Sequence, residues 1–413
     1  MRILIIASVF PESQSSGAGT RIMEWIHLFL QQGWQVDVAC PAAKGEYGDD
    51  LAELGVKTHK IRVNCNDFDG FIRKLDPNIV LFDRFTMEEQ FGWRVETQCP
   101  NALRLMETID LHCLRQARHQ QSKQTHRVAL EPKLSDLYGD IAKREIAAIW
   151  RCDLSVMISN VEIDILQNTF HIMPELLHHC PFMLNHHDIP KQLTSFDERQ
   201  HFMTIGSFRH APNWDAVLWL KQEIWGLIRQ RLPNAELHIY GSYAPPKATA
   251  LHAPKDGFYM EGRAASALDV TQQARICLAP LRFGAGIKTK LADAMQVGTP
   301  SITTSVGAEG MHGDLPWAGK VYDDPKAFAQ AAVDVYQDEE AWHQSQQQGF
   351  DILRHWFNVE EHQAQLIQHI LTLYNKLEAH RLHNFTGSML RHHHHRSTEF
   401  MSRWIEAKNR PVS

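Results

Sequence analysis

Two patterns of apolar positions alternate along the chain. Short, continuous runs rich in β-branched residues mark strands buried on both faces, and the first of them covers residues 2–9. Between such runs, apolar residues recur every three to four positions, the spacing of a helix with one buried face. The first run ends at Pro11 and gives way to a Ser/Gly-rich turn, Ser13-Gln-Ser-Ser-Gly-Ala-Gly19. A helix follows with Ile22, Ile26, Phe29 and Leu30 on one face and a stop at Gly33, then a second strand over 35–39. Strand, glycine loop, helix and strand in about 40 residues make a βαβ unit, whose crossover is right-handed. Further runs at 79–82, 103–106 and 154–158 extend the series and predict a parallel sheet with helices on both faces.

The pattern breaks at 180–190, where Cys180-Pro-Phe-Met-Leu-Asn-His-His-Asp-Ile-Pro190 is rich in breakers, and then restarts. Strands are expected at 202–205, 236–240, 259–260, 276–279 and 300–303, with helices at 215–230, 267–274 and 290–297. From Pro325 onward helical spacing dominates. The reading is an α/β protein with two Rossmann-like, doubly wound domains facing a cleft, at 1–185 and 201–360. A linker at 186–200 joins them, and a helical C-terminal extension, 361–413, packs back on the first. In such sheets ligands bind beyond the carboxyl ends of strands, so the loops after strands are where chemistry is sought.

Composition narrows the classes. A chain of 413 residues with 44% hydrophobic and 22% charged positions buries a sizeable core. A net charge of −6 offers no global basic field for nucleic acid. Seven scattered cysteines without a CxxC pair form neither a disulfide framework nor a zinc ribbon and fit a reducing cytosol. The amino terminus lacks a small-residue cleavage site, and no apolar run is long enough to span a bilayer. The expected location is cytoplasmic, with peripheral contact to the inner membrane face allowed.

Two loops stand out. In Ala279-Pro-Leu-Arg-Phe-Gly-Ala-Gly-Ile-Lys288 a strand ends, Gly284-Ala285-Gly286 opens a tight loop, and Lys288 starts a helix. Glycines let backbone amides approach an anion, and the helix N-terminus adds roughly half a positive charge. The same triplet also serves as a purely structural turn. Lys288 and Lys290 are two residues apart, so a regular helix points at most one at a ligand; Asp293 lies five residues beyond Lys288, within reach of a ribose. In the second loop, Thr204-Ile-Gly206-Ser-Phe-Arg209, a strand again ends in glycine, and a helix capped by Asn213 or Asp215 follows. Arg209 and Lys288 sit just beyond two strands of one sheet and can converge on one phosphate group, although an interdomain ion pair is the plainer role for Arg209.

These stretches, GSFRHAPNWDAVLWL and APLRFGAGIKTKLADAMQVGTPSITTSVGAEGM, resemble the donor domain of family 4 glycosyltransferases, retaining enzymes of the GT-B fold. MRILIIASVFPESQSSGAGTRIMEW is similar to the start of their acceptor domain. The resemblance implies transfer of a sugar from a nucleoside-diphosphate sugar, used as co-substrate with no cofactor and no metal, the anomeric configuration being kept. It assigns Arg209 and Lys288 to the diphosphate and Asp293 to the ribose hydroxyls. The loops Gly17-Ala18-Gly19, Gly206 and Gly284-Ala285-Gly286 fall to the donor, and His112, in Thr108-Ile-Asp-Leu-His112, to a catalytic place beside the reacting sugar. Glu309 stands between a donor contact and a helix cap, the cap being the simpler role. The first glutamate of the family's paired-glutamate motif is missing, its region being taken by Gly284-Ala285-Gly286. No Asp-x-Asp follows a strand, and Asp323-Asp324 before Pro325 reads as a helix cap.

Residues 380–413 hold a His/Arg-rich run, Arg391-His-His-His-His-Arg396, and an apolar stripe of Phe400, Met401, Trp404 and Ile405 on a helix that Ser397 or Thr398 caps. The bland reading is a tail helix packed across the first domain; the sharper one is a basic face, extended by Arg115 and Arg118, for a phosphate-bearing acceptor such as a glycan or lipid-linked sugar. Two alternatives to a transferase are a nucleotide-sugar epimerase of the same fold and a non-catalytic sugar- or RNA-binding relative.

Overall fold

The computed structural model describes residues 1–14, 17–184, 189–190 and 192–409, and for 394–395 the backbone alone. Positions 15 and 16 of the glycine-rich turn and 186–188 and 191 of the expected linker lie outside the described residues, as do 185 and 410–413.

Two parallel sheets organise the molecule. The first is built from β1 (Arg2–Ile6), β2 (Gln35–Cys40), β3 (Lys57–Lys60), β4 (Ile79–Asp83), β5 (Leu103–Thr108), β6 (Leu154–Met157) and β7 (Leu177–His179). The second contains β8 (Gln200–Ile205), β9 (Leu237–Tyr240), β10 (Phe258–Gly262), β11 (Ala274–Ala279), β12 (Ser301–Thr303) and β13 (Gly319–Val321). Their orders are β3-β2-β1-β4-β5-β6-β7 and β10-β9-β8-β11-β12-β13. Each reverses direction of growth once, between β1 and β4 and between β8 and β11. Those switch points open crevices at the carboxyl ends of the strands.

The central strands are apolar on both faces because helices cover both. Ile3 and Ile5 pack toward Trp25, Ile26 and Phe29 of the helix Gly17–Gln31, while Leu4 and Ile6 join the opposite core with Phe82 and Phe91. The helix Val359–Asn375 brings Leu366, Ile367, Ile370 and Leu373 into the first domain's core. The chain therefore returns to its first domain after completing the second.

Several elements depart from the sequence expectation. β3, of sequence KTHK, has no apolar pattern: it is an edge strand whose ladder to Asp37–Cys40 carries it. The helix expected at 215–230 begins at Ala211, with Pro212 in its first turn, where a missing N–H costs nothing. Neither Asn213 nor Asp215 caps it; the Asp215 carboxylate grips the Arg282 guanidinium at 2.6 and 2.9 Å. Asp324 does cap Pro325–Gln337, accepting from the amides of Lys326 and Ala327. Ser397 and Thr398 cap nothing, because the backbone runs helically from Phe385–Leu390 through a wide turn, Arg391–His395, into Arg396–Asn409.

Candidate functional site

A cleft of about 840 Å3 lies between the two sheets, lined by the loops after β1, β4, β5, β8, β9 and β11. Two helices begin there. Gly17–Gln31 follows β1 and Thr289–Gln296 follows β11, and a Cβ added to Gly17 would come 2.8 Å from Thr289 Cγ2. Two N-termini thus abut across the cleft, each carrying partial positive charge. Such a pair attracts an anion that neither end repels.

Cationic side chains add to this field. Lys288 precedes the helix in an extended conformation (φ −100°, ψ 94°), and Lys290 lies within its first turn. Both line the cleft, contrary to the expectation from their spacing, because that rule holds only when both residues are helical. The Lys288 ammonium donates to the Gly286 carbonyl at 2.7 Å, and that of Lys290 to Asn213 Oδ1 at 2.8 Å. Burial lowers both to about 8. One turn on, Asp293 also lines the cleft, and burial raises it to about 7.

The glycine loop is pressed against the first domain. At Gly286 φ is +63°, and a Cβ would sit 2.3 Å from the Ile109 carbonyl oxygen, so no other residue fits. Its amide donates to Glu162 Oε1 at 2.7 Å, an oxygen that also accepts from the Leu111 amide at 3.1 Å. Burial, reinforced by the neighbouring Asp110 charge, raises Glu162 to about 8, which favours the neutral acid at pH 7. Alongside, Arg118 makes two 2.7 Å bonds to the Glu309 carboxylate and one of 2.9 Å to the Gly284 carbonyl. Arg118 is 2% exposed, so it belongs to this interdomain clamp and not to a solvated basic face.

On the far wall, the Arg209 guanidinium rests 3.5 Å from the centre of the Tyr243 ring. Tyr243 has φ +57° and donates its hydroxyl proton to Glu12 Oε2 at 2.9 Å, joining the two domains. Arg263 covers Tyr47 in the same way at 4.1 Å, and the two tyrosines meet edge to face at 6.4 Å. His210 also faces the cleft; burial, partly offset by Asp110, lowers it to about 4 and keeps it neutral.

Of the residues singled out from sequence, Arg209, Lys288, Asp293, Gly17, Ala18, Gly206, Gly284 and Ala285 line this one cleft. Four others sit behind it. Gly19 lets Glu12 backbone approach to 2.4 Å of a would-be Cβ, and Gly286 abuts Ile109. Glu309 is not part of the lining and spends its carboxylate on Arg118. His112 lies outside the lining: its Nδ1 is 3.1 Å from Glu145 Oε1, and its ring packs edge-on to Phe85. Arg115, expected on a basic face, lines the cleft instead, and sequence reasoning missed Glu12, Arg84, Asp110, His210 and Tyr243. Arg84 follows β4 directly, so the rule of searching beyond strand ends could have found it.

Two doubly wound parallel domains closing on a cation-lined cleft define the double-Rossmann, or GT-B, class. Residues 199–338, within the second domain, match the family model described as Glycosyl transferases group 1. No curated protein matches the chain by sequence. Among solved structures, a TarM variant from S. aureus in complex with fondaparinux, alpha-GlcNAc-glycerol and UDP is 10% identical, with a TM-score of 0.68 over 91% of this chain and 99% of that one. Sucrose-phosphate synthase from Thermosynechococcus elongatus is 17% identical, with a TM-score of 0.67 over 92% and 99%. Anabaena HepE in complex with UDP and glucose is 10% identical, with a TM-score of 0.66 over 90% and 100%. At these identities the likeness is one of fold.

Proposed function

We propose that the protein transfers a sugar from a nucleoside-diphosphate sugar to an acceptor hydroxyl with retention of anomeric configuration. The observation that carries this reading is the convergence of two helix N-termini with Lys288 and Lys290 on one wall of a cleft sized for such a donor. As the bond between the anomeric carbon and the phosphate oxygen breaks, negative charge grows on the diphosphate. Fixed donors at that point stabilise the transition state more than the ground state. Lys288 takes the phosphate next to the departing oxygen, and Arg209 takes the other after leaving the Tyr243 face. Asp293, ionised, accepts from the ribose hydroxyls. The acceptor oxygen attacks on the face the diphosphate leaves, and its proton passes to the departing phosphate oxygen. The amides available to the diphosphate are those of Gly284 and Ala285 and of the helix start, since Gly286 already donates to Glu162.

The likeness to folds seen with UDP supports a nucleoside-diphosphate donor. A thermal-shift panel of UDP, GDP, ADP and dTDP tests it. One diphosphate should stabilise by roughly 2.7 kcal/mol at a hundredfold excess over its Kd. Slow release of that diphosphate from its sugar without an acceptor should accompany it. Conversion of the free nucleotide sugar to an isomer would instead identify an epimerase, and no shift with any diphosphate would reject the donor reading.

A further inference from the structure

The C-terminal helix is amphipathic with its faces reversed. Along the helical backbone from Phe385 to Asn409, the buried positions are polar or small: Asn384 just before it, then Gly387, Arg391 and Ser402. They hold the helix to the first domain by hydrogen bonds. Asn384 Nδ2 donates to the Trp150 carbonyl at 2.8 Å, and Arg94 donates to Ser402 Oγ at 3.1 Å. Gly387 allows the approach, since a Cβ there would meet the Trp150 oxygen at 2.1 Å. Arg391 pairs with Glu96 at 3.3 Å. The large apolar side chains point the other way.

Leu382, Phe385, Met389, Phe400, Met401 and Trp404 are 76, 76, 47, 66, 58 and 59% exposed. They are six of the twelve large apolar side chains that the described residues expose, gathered in one short stretch. Phe385 and Met389, and beyond the wide turn Phe400 and Trp404, are four residues apart, so each pair shares one face of its helix. An apolar stripe of this kind marks an interaction surface.

Charge identifies what covers it. Of the six Lys/Arg in residues 376–409, Arg381 and Arg391 turn inward to Asp153 and Glu96, which leaves Lys376, Arg396, Arg403 and Lys408 on the outer side of a chain of net charge −6. The basic side chains of the last helix, Arg396, Arg403 and Lys408, are exposed beside the stripe; Arg403 also holds Glu399 at 2.6 Å, and Glu406 turns inward to accept from the Asn66 amide. Lys408 lies 5.1 Å over the Trp404 ring. A second copy packed on this face would bring the same three cations, Arg396, Arg403 and Lys408, into the interface a second time. A planar anionic surface with an apolar interior meets both halves of the pattern.

We propose that this helix seats the protein on an anionic lipid bilayer. Phe400, Met401 and Trp404 enter the headgroup–acyl boundary while Arg396, Arg403 and Lys408 contact headgroup phosphates. The first domain, to which the helix is fastened, is thereby held at the membrane surface. This inference does not rest on the donor reading. Flotation of the full chain with vesicles of phosphatidylcholine and phosphatidylglycerol tests it, against vesicles of phosphatidylcholine alone. Wild type should float with the anionic vesicles and not with the zwitterionic ones. A Phe400→Ser/Trp404→Ser variant with unchanged melting temperature should lose at least tenfold in bound fraction, and Arg396→Gln/Arg403→Gln should weaken binding and flatten its salt dependence. Failure of wild type to float, or equal flotation of the Ser variant, overturns the proposal. So does a dimer in sedimentation equilibrium that the Ser variant abolishes without any vesicle binding, which would assign the stripe to a second copy.

Discussion

Lys288 and Asp293 titrate in opposite senses across the same narrow range. Burial holds Lys288 near 8, so its charge is present below that pH and lost above it. Burial lifts Asp293 to about 7, so its carboxylate is ionised above that pH and protonated below. A donor that needs both charges meets the competent free enzyme only in between. The expected kcat/KM profile is a narrow bell, rising through about 7 and falling through about 8, and a flat profile from 6 to 9 rejects the paired roles. Lys288→Met should lower turnover by ~10²–10³, as loss of an oxyanion donor does, with the melting temperature kept. These two residues were legible because a glycine loop after a strand announces its own helix start. Lys290 and Tyr243 were not: the first depends on Lys288 standing outside the helix, the second on a left-handed backbone position that sequence alone does not mark.

At the scale of elements, the glycine loop owes its place to the other domain. The Arg118 guanidinium ties it to Glu309, and Glu162 holds the Gly286 amide. Removing one partner of so buried a pair leaves the other charge uncompensated, at a cost of about 3–5 kcal/mol. Arg118→Met should therefore lower the urea midpoint of unfolding, with the double variant Arg118→Met/Glu309→Leu recovering part of the loss. A single variant as stable as wild type would show that the clamp contributes nothing. No local pattern reveals such pairs, since their members lie far apart in sequence and meet only through the fold. β3 escaped for a related reason: its four polar residues carry no period, and only the neighbouring strand makes them a strand.

Over the whole molecule, the alternation of apolar runs and helical spacing was enough to read two doubly wound sheets and their order along the chain, because strands covered on both faces must be apolar throughout. The tail was read as a helix packed through its apolar stripe, whereas its hydrogen bonds to Trp150 and Arg94 lie on the opposite face. Periodicity reports that a helix has two faces, not which of them the body accepts.

The Tyr243–Glu12 bond and the close approaches of Gly17 to Thr289 and of Gly286 to Ile109 fasten the two lobes to each other. Lobes so fastened must yawn before each donor enters and again before each spent nucleotide departs. The tempo is then set by the swing of two masses through solvent, and thickening the medium with sucrose should slow the steady-state rate in proportion to viscosity, while a chemistry-limited catalyst would not notice.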